Sequence, residues 1–181
     1  MGKIVLLTGR PGIGKTTALK KIIDMLKARG WSVGGMISSE ICRSDRRVGF
    51  GILDIMSGKS GTLAHIGFSR GPQVGIYRVN LEDLEHIGVQ AILKALEEVE
   101  IVCCDEIAPM ELSSLLFREC IKKVIESPKP FVATIHRNIR DPFLQEIKAR
   151  PNIEVLEVSE QNRDRIPFEV VRLIESNLNL R

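Results

Sequence analysis

Hydrophobic positions along the chain follow two alternating periods. Lys3 to Thr8 is a short, nearly continuous apolar run that ends at glycines, and from Lys15 to Arg29 the residues Leu19, Ile22, Ile23 and Leu26 recur at helical spacing. This predicts a strand, a glycine loop and a helix, with Gly30 stopping the helix before a second strand at Trp31 to Ile37. From Ser38 to about Asn80 the pattern shortens into glycine-rich alternations, predicting strands at Glu40 to Cys42, Val48 to Ile55 and Thr62 to Ile66 with polar turns between them. Helical spacing returns at Leu81 to Val99 and at Met110 to Glu126, where Ser127-Pro128 ends it. Ile101 to Asp105, Phe131 to Ile135 and Ile153 to Val158 read as strands, and Pro142 to Ala149 and Arg165 to Leu178 as helices.

Strands that are apolar on both faces and alternate with helices predict an α/β fold with a mainly parallel central sheet flanked by helices. Ligands of such sheets bind beyond the carboxyl ends of the strands. The stretch from about 38 to 80 is expected to be a small antiparallel β insertion within a single domain over residues 1–181, because so short a segment could not bury a core of its own.

With 26 basic and 23 acidic residues, a net charge of +3, 44% hydrophobic and 27% charged residues, the composition is that of an ordinary globular chain. It excludes a disordered, collagen-like or coiled-coil protein. So small a positive surplus is far from the basic stripe that phosphate contacts require, so a nucleic-acid partner is unsupported. No apolar run is long enough to span a membrane and the N-terminus has no cleavage pattern, so a cytoplasmic protein without membrane attachment is expected, monomeric or with a higher oligomer left open. Cys42, Cys103, Cys104 and Cys120 lack metal-ligand spacing and are expected to be small buried hydrophobes in a reducing compartment. Cys103 and Cys104, as neighbours in a strand, should leave it on opposite faces.

The chemistry concentrates in Gly9-Arg10-Pro11-Gly12-Ile13-Gly14-Lys15-Thr16, which fits G-x-x-x-x-G-K-[ST] and lies between a predicted strand and helix as a P-loop requires. Glycines let backbone N–H groups turn inward around phosphate oxygens, and the positive end of the following helix points at the same anion. Lys15 is expected to contact the β and γ phosphates of a nucleoside triphosphate, and Thr16 to offer its hydroxyl to Mg2+. A second element, Ile101 to Glu106, is an apolar strand ending in two carboxylates. Asp105 is the candidate for the magnesium shell and Glu106 for orienting or deprotonating the attacking water. In the strand Phe131 to Ile135, Thr134 and the following His136 are candidates to touch the γ-phosphate or that water. Arg10, Arg46, Arg47, Arg137 and Arg163 are candidates to offset charge in the transition state. Gly67-Phe68-Ser69-Arg70-Gly71 spells a hydrolase nucleophile elbow, but Pro72 and Gly75 follow it where that motif needs a helix.

On these residues the chain resembles the nucleoside-triphosphate phosphatases first described from thermophiles, whose animal members are called cancer-related nucleoside-triphosphatase. The resemblance covers nearly the whole chain and rests on Thr8-Gly9 through Thr17, Arg47-Val48-Gly49-Phe50, Ser57-Gly58, Asp105-Glu106-Ile107 with Met110-Glu111-Leu112, Ala133-Thr134-Ile135 and Asn162-Arg163-Asp164. It implies a RecA-like P-loop NTPase fold that hydrolyses several nucleoside triphosphates to diphosphates with Mg2+, and implies Glu106 as the water-activating residue. Ala108 stands where the family usually has Gly, Gln161 where it has Glu, and His136 where Pro is common.

The resulting expectation is Mg2+-dependent hydrolysis of ATP, GTP, CTP and UTP. Lys15, Thr134 and Glu106 carry the reaction, Gly9 to Thr17 with Asp105 and Arg163 hold the nucleotide, and Thr16 and Asp105 hold the metal. Base selectivity should be weak, since no N-K-x-D or T-K-x-D tetrapeptide occurs. The alternatives are a phosphotransferase using the same loop and a nucleotide-gated binding switch.

Overall fold

From Ile4 to Leu7 every side chain of the first strand is buried, a pattern found where a sheet is covered on both faces. A computed structural model of the chain describes residues 2–137 and 140–178. Strand β1 (Ile4–Thr8) leads into α1 (Lys15–Ala28), then β2 (Val33–Arg43), β3 (Arg46–Asp54), β4 (Ser60–His65), β5 (Gln73–Val74) and β6 (Tyr77–Val79). A helical stretch follows, α2 (Leu81–Asp83), a π-helical turn (Leu84–Val89) and α3 (Gln90–Glu98), before β7 (Ile101–Ile107). After a 3-10 turn (Glu111–Ser113) come α4 (Leu115–Glu126), β8 (Phe131–Ile135), α5 (Pro142–Lys148), β9 (Ile153–Glu157) and α6 (Ile166–Leu178).

The strands form one nine-stranded sheet in the order β5-β6-β4-β3-β2-β7-β8-β1-β9. β2, β7, β8, β1 and β9 run parallel, and β3, β4, β6 and β5 continue the same sheet antiparallel. Alternation along the strands divides the core in two. Ile4, Leu6, Val102, Cys104 and Phe131 pack with α3 and α4 on one face, while Val5, Leu7, Ile101, Cys103 and Val132 pack with α1 and α6 on the other. Cys103 and Cys104 therefore do leave β7 on opposite faces. Cys42 departs from the expectation of burial: it lies near the outer end of β2, beyond the covered part of the sheet, and is exposed.

Three element boundaries differ from the sequence reading, each for a local reason. The strands expected at Trp31–Ile37 and Glu40–Cys42 are one strand, β2, which begins at Val33; polar Ser38 and Ser39 interrupt the apolar pattern without ending the extended backbone. The stretch predicted as one helix from Met110 is broken at Ser114, whose hydroxyl accepts the Phe117 N–H at 3.1 Å and caps α4. Within the predicted Leu81–Val99 helix the π turn brings Gly88 against Met36, where a Cβ would lie 2.9 Å from the sulfur. The hairpin β5–β6 is too short to register as a period.

Candidate active site

The segment between β1 and α1 has the backbone its glycines permit. Gly12 and Gly14 adopt φ of +76° and +108°, a region costly for side-chain-bearing residues. Ile13 is buried in the core below them and its N–H donates to the Arg10 carbonyl at 3.2 Å, which pins the loop while its rim stays open. α1 then begins with no side-chain cap and no acidic residue in its first turn, so its positive end is unneutralised. Pro11, Gly12, Gly14, Lys15, Thr16 and Thr17 line one end of a cavity of about 570 Å³.

The acidic pair sits at the carboxyl end of β7, two strands from β1 in the sheet, with a cis Asp105-Glu106 peptide bond. Asp105 is 1% exposed and accepts hydrogen bonds from the hydroxyls of Thr16, Ser38 and Thr134. Thr16 Oγ1 reaches both carboxylate oxygens at 3.2 and 2.9 Å, Ser38 Oγ reaches Oδ2 at 2.9 Å, and Thr134 Oγ1 reaches Oδ1. Thr134 is fully buried; it meets Asp105 and does not line the cavity. Glu106 does line it, half-buried, with Oε1 3.7 Å from Lys15 Nζ, which also donates to the Gly9 carbonyl at 3.3 Å. Burial pushes the Glu106 carboxyl above the usual carboxylate range; Lys15 partly offsets the rise and Asp105 adds to it.

Threonine and serine hydroxyls grouped on a carboxylate are hard oxygen donors of the kind Mg2+ takes, and Thr16 keeps its lone pairs after giving its proton to Asp105. These residues fit Mg2+. Among the described residues no group of three or more His, Cys, Asp or Glu is placed to hold a metal. Most of its shell would thus come from phosphate and water.

The five candidate arginines separate clearly. Arg47 lines the cavity, with Nε on the Tyr77 hydroxyl at 3.1 Å, Nη1 on Glu40 at 2.7 Å, and its guanidinium 5.0 Å from the Phe50 ring centre. Arg46 is exposed at the β2–β3 turn, and Arg137 pairs with Glu157 at 3.1 Å. Arg10 is exposed and 3.8 Å from Glu160, which sets the 159–163 turn beside the loop. Arg163 is exposed on that turn and outside the cavity wall; Asn162 shapes the turn, its side chain accepting from Ser159 N–H at 2.7 Å and donating to the Glu157 carbonyl at 2.8 Å. His136 lines the cavity, and burial together with Lys15 lowers its pKa.

A family model described as NTPase matches residues 4–171. The chain belongs to that family. It is 45% identical over 175 residues to the nucleoside-triphosphatase THEP1 of Thermofilum pendens, covering 96% of each chain. To THEP1 of Methanosarcina acetivorans it is 41% identical over 167 residues, 92% of this chain and 93% of the relative. The crystal structure of THEP1 from the hyperthermophile Aquifex aeolicus superposes with a TM-score of 0.85 at 31% identity, covering 95% of this chain and 99% of that one. The solution structure of a human cancer-related nucleoside triphosphatase gives 0.82 at 29% identity, covering 97% and 98%. The α/β fold of this NTPase, with its mixed central sheet and flanking helices, is that of these structures.

Within this NTPase, the Ala108 departure causes no backbone conflict, because Ala108 is not among the residues with positive φ. Ser38 and Glu111, the latter 3% exposed, face the cavity and were not among the sequence-derived site residues, whereas Arg47 is the one of the five candidate arginines that the fold places on its wall. A signal existed for the first, since two serines interrupt an otherwise apolar strand. Ser69 of the rejected nucleophile-elbow motif is exposed in the loop between β4 and β5. Among the described residues no helix is long and apolar enough to cross a membrane.

Proposed function

We propose that this NTPase hydrolyses nucleoside triphosphates to diphosphate and phosphate with Mg2+ and weak base selectivity across ATP, GTP, CTP and UTP, acting as one domain over residues 1–181. The observation that carries the reading is the meeting of Lys15 and Glu106 at 3.7 Å on one cavity wall, with Asp105 behind them tied to Thr16. In this reading the N–H groups of Gly9 to Thr17 and the positive end of α1 hold the β and γ phosphates. Lys15 exchanges its contact with Glu106 for phosphate oxygens. Thr16 and Asp105 would hold the metal, which would supply charge neutralisation for the triphosphate. Ser38 and Thr134 keep Asp105 in one orientation. Glu106 takes a proton from water as its oxygen bonds to the γ-phosphorus, while the bond to the β–γ bridging oxygen breaks and that oxygen leaves with the diphosphate. A carboxyl raised by burial is a better base for this than an exposed one. Arg10 and Arg163, exposed on the adjoining rim, are assigned to the outer face of the nucleotide.

A second reading, phosphoryl transfer to a small acceptor, is favoured by one observation: the cavity runs past Glu106 to Phe50, Leu63, Val74 and Met110. The test for both is phosphate release from the four triphosphates with and without Mg2+, beside Glu106→Gln, with nucleotide binding checked in each. Turnover of all four by the wild type, and a loss of about 10²- to 10⁴-fold in a variant that still binds, is expected. Unchanged turnover in Glu106→Gln would remove the base assignment, and a product formed only with added acceptor would favour transfer.

A further inference from the structure

Arg47 belongs to β3, the first strand of the antiparallel extension, yet it lines the same cavity as Lys15, Thr16 and Glu106. A run of contacts fixes its place there. Asp105 accepts from Ser38 Oγ at 2.9 Å. Ser38 and Glu40 are two residues apart on β2, so their side chains leave the same face of the sheet about 7 Å from one another. Glu40 Oε1 in turn accepts from Arg47 Nη1 at 2.7 Å, and Ser38 and Glu40 both line the cavity. The Arg47 guanidinium is thereby carried about two strand residues beyond the Ser38–Asp105 contact, on the wall formed by the extension.

This head group is held in place by the protein itself. Nε donates to the Tyr77 hydroxyl at 3.1 Å, and that hydroxyl donates back to the Arg47 carbonyl at 3.4 Å. The guanidinium lies 5.0 Å from the Phe50 ring centre and 6.0 Å from that of Tyr77, and the two rings pack edge to face at 5.2 Å. Tyr77 is 9% exposed, so the anchor is a buried one. With Nε and Nη1 engaged, Nη2 has no hydrogen-bond partner among the described residues. A guanidinium carries five N–H donors and stays charged, so one end of the fork is left to donate. The pair with Glu40 is a poor reason for the arrangement, because side chains 47% and 59% exposed gain little stability from pairing. The other four arginines lack this placement: Arg46 is exposed at the turn, Arg137 is on Glu157, and Arg10 and Arg163 stand outside the cavity wall.

We infer that Arg47 is a further catalytic residue: Nη2 donates to a γ-phosphate oxygen while Nε and Nη1 stay on Tyr77 and Glu40, and the guanidinium charge offsets the charge that spreads over the phosphoryl oxygens as the bond to the bridging oxygen breaks. This rests on the proposed hydrolysis at the glycine loop. Lys15 then meets the γ-phosphate from the loop side and Arg47 from the side of the extension. A donor already aimed at the developing charge needs no reorganisation during the reaction, which is where such groups gain their effect. Because β3 carries the arginine and β6 supplies its anchor Tyr77, the antiparallel extension takes part in the reaction, and the charge is delivered within one chain.

The test compares Arg47→Gln with Arg46→Gln, which removes the same charge one residue away. kcat and KM are measured with MgATP, and folding is checked by thermal melting. The affinity for ADP with Mg2+ is measured with and without aluminium fluoride, which mimics the planar phosphoryl group in transfer. Arg47→Gln should lower kcat by about 10²-fold or more with KM little changed, and should lose most of the tightening of ADP by aluminium fluoride while binding ADP alone as the wild type does. Arg46→Gln should match the wild type in every readout. An Arg47→Gln protein with wild-type kcat, one that keeps the full tightening, or an Arg46→Gln protein equally impaired overturns the inference. If Arg47→Gln does not fold, Arg47→Lys decides, since one ammonium cannot hold Tyr77 and Glu40 and also reach the phosphate; a loss of about tenfold in kcat and in the tightening is expected, and wild-type values overturn the inference. A wild type that releases no phosphate sinks the proposed function and the inference with it, whereas a wild type that turns over beside an unimpaired Arg47→Gln protein sinks the role of Arg47 alone.

Discussion

Replacing Thr134 by Val changes one hydroxyl for one methyl at a site with no solvent exposure. The shape is kept, so cavity formation contributes little, and the effect comes from the bond to Asp105 Oδ1. The other donor to that oxygen, Thr16 Oγ1, stands at a longer 3.2 Å and is nearer to Oδ2 at 2.9 Å. Oδ1 is then left with its weaker partner inside the protein. A hydrogen bond to a charged group is worth roughly 1.5–3 kcal/mol, so Thr134→Val should cost about 2 kcal/mol. For a chain of this size that corresponds to a fall of about 4–8 °C in melting temperature. Freed on one side, the carboxylate proposed to hold the metal is less firmly placed, and kcat with MgATP should fall by about tenfold. Thr134→Ser, which keeps the hydroxyl, should recover most of both losses. Calorimetry and phosphate release on the three proteins check this. A Thr134→Val protein that melts and turns over like wild type would refute the claim that Thr134 acts by holding Asp105.

Other consequences are equally open to measurement. Gly14→Ala places a Cβ where nothing lies within 4 Å, so its penalty comes from the +108° φ alone; a stability loss of about 1–2 kcal/mol with a raised KM is expected from melting and kinetics. Arg118 holds Asp141 through two bonds of 3.0 and 2.7 Å and keeps its carboxyl below the usual range. A carboxyl lowered by folding contributes stability that is full above its unfolded value of about 3.9 and is lost as pH falls through the folded one. Arg118→Gln should therefore lower the melting temperature at neutral pH and flatten its acid decline. Burial pushes the thiols of Cys103 and Cys120 up to about 12 and raises that of Cys104 as well, while Cys42 is exposed. A thiol reagent at pH 8 should titrate one cysteine in the folded protein and all four in denaturant; a second fast thiol would contradict this burial.

How much of the site could be read from the sequence depends on how far apart its partners lie. The glycine loop was legible because Gly9 to Thr16 set its path through consecutive backbone atoms, and the two carboxylates because an apolar strand led into them. Thr134 was expected to touch the γ-phosphate or the attacking water, and its contact in the structure, a buried bond to Asp105, was not foreseen. Arg10, Arg46, Arg137 and Arg163 were indistinguishable from Arg47 until the fold placed Arg47 alone of the five on the cavity wall. The short hairpin Gln73–Val79 and the break at Ser114 escaped because two or three residues are too few to establish a period.

By itself the sequence determined the alternation of strands and helices, the parallel core and the glycine loop before α1. Each follows from side-chain period or backbone freedom over fewer than about twenty residues. Tertiary structure alone decided that Thr16, Ser38 and Thr134 converge on Asp105 across separations of 89, 67 and 29 residues. It likewise left Glu106 and Glu111 with orphan oxygens on one wall. The physical reason is the strand order β2-β7-β8-β1, which makes neighbours of segments that are distant in the chain, and no local period encodes a sheet order.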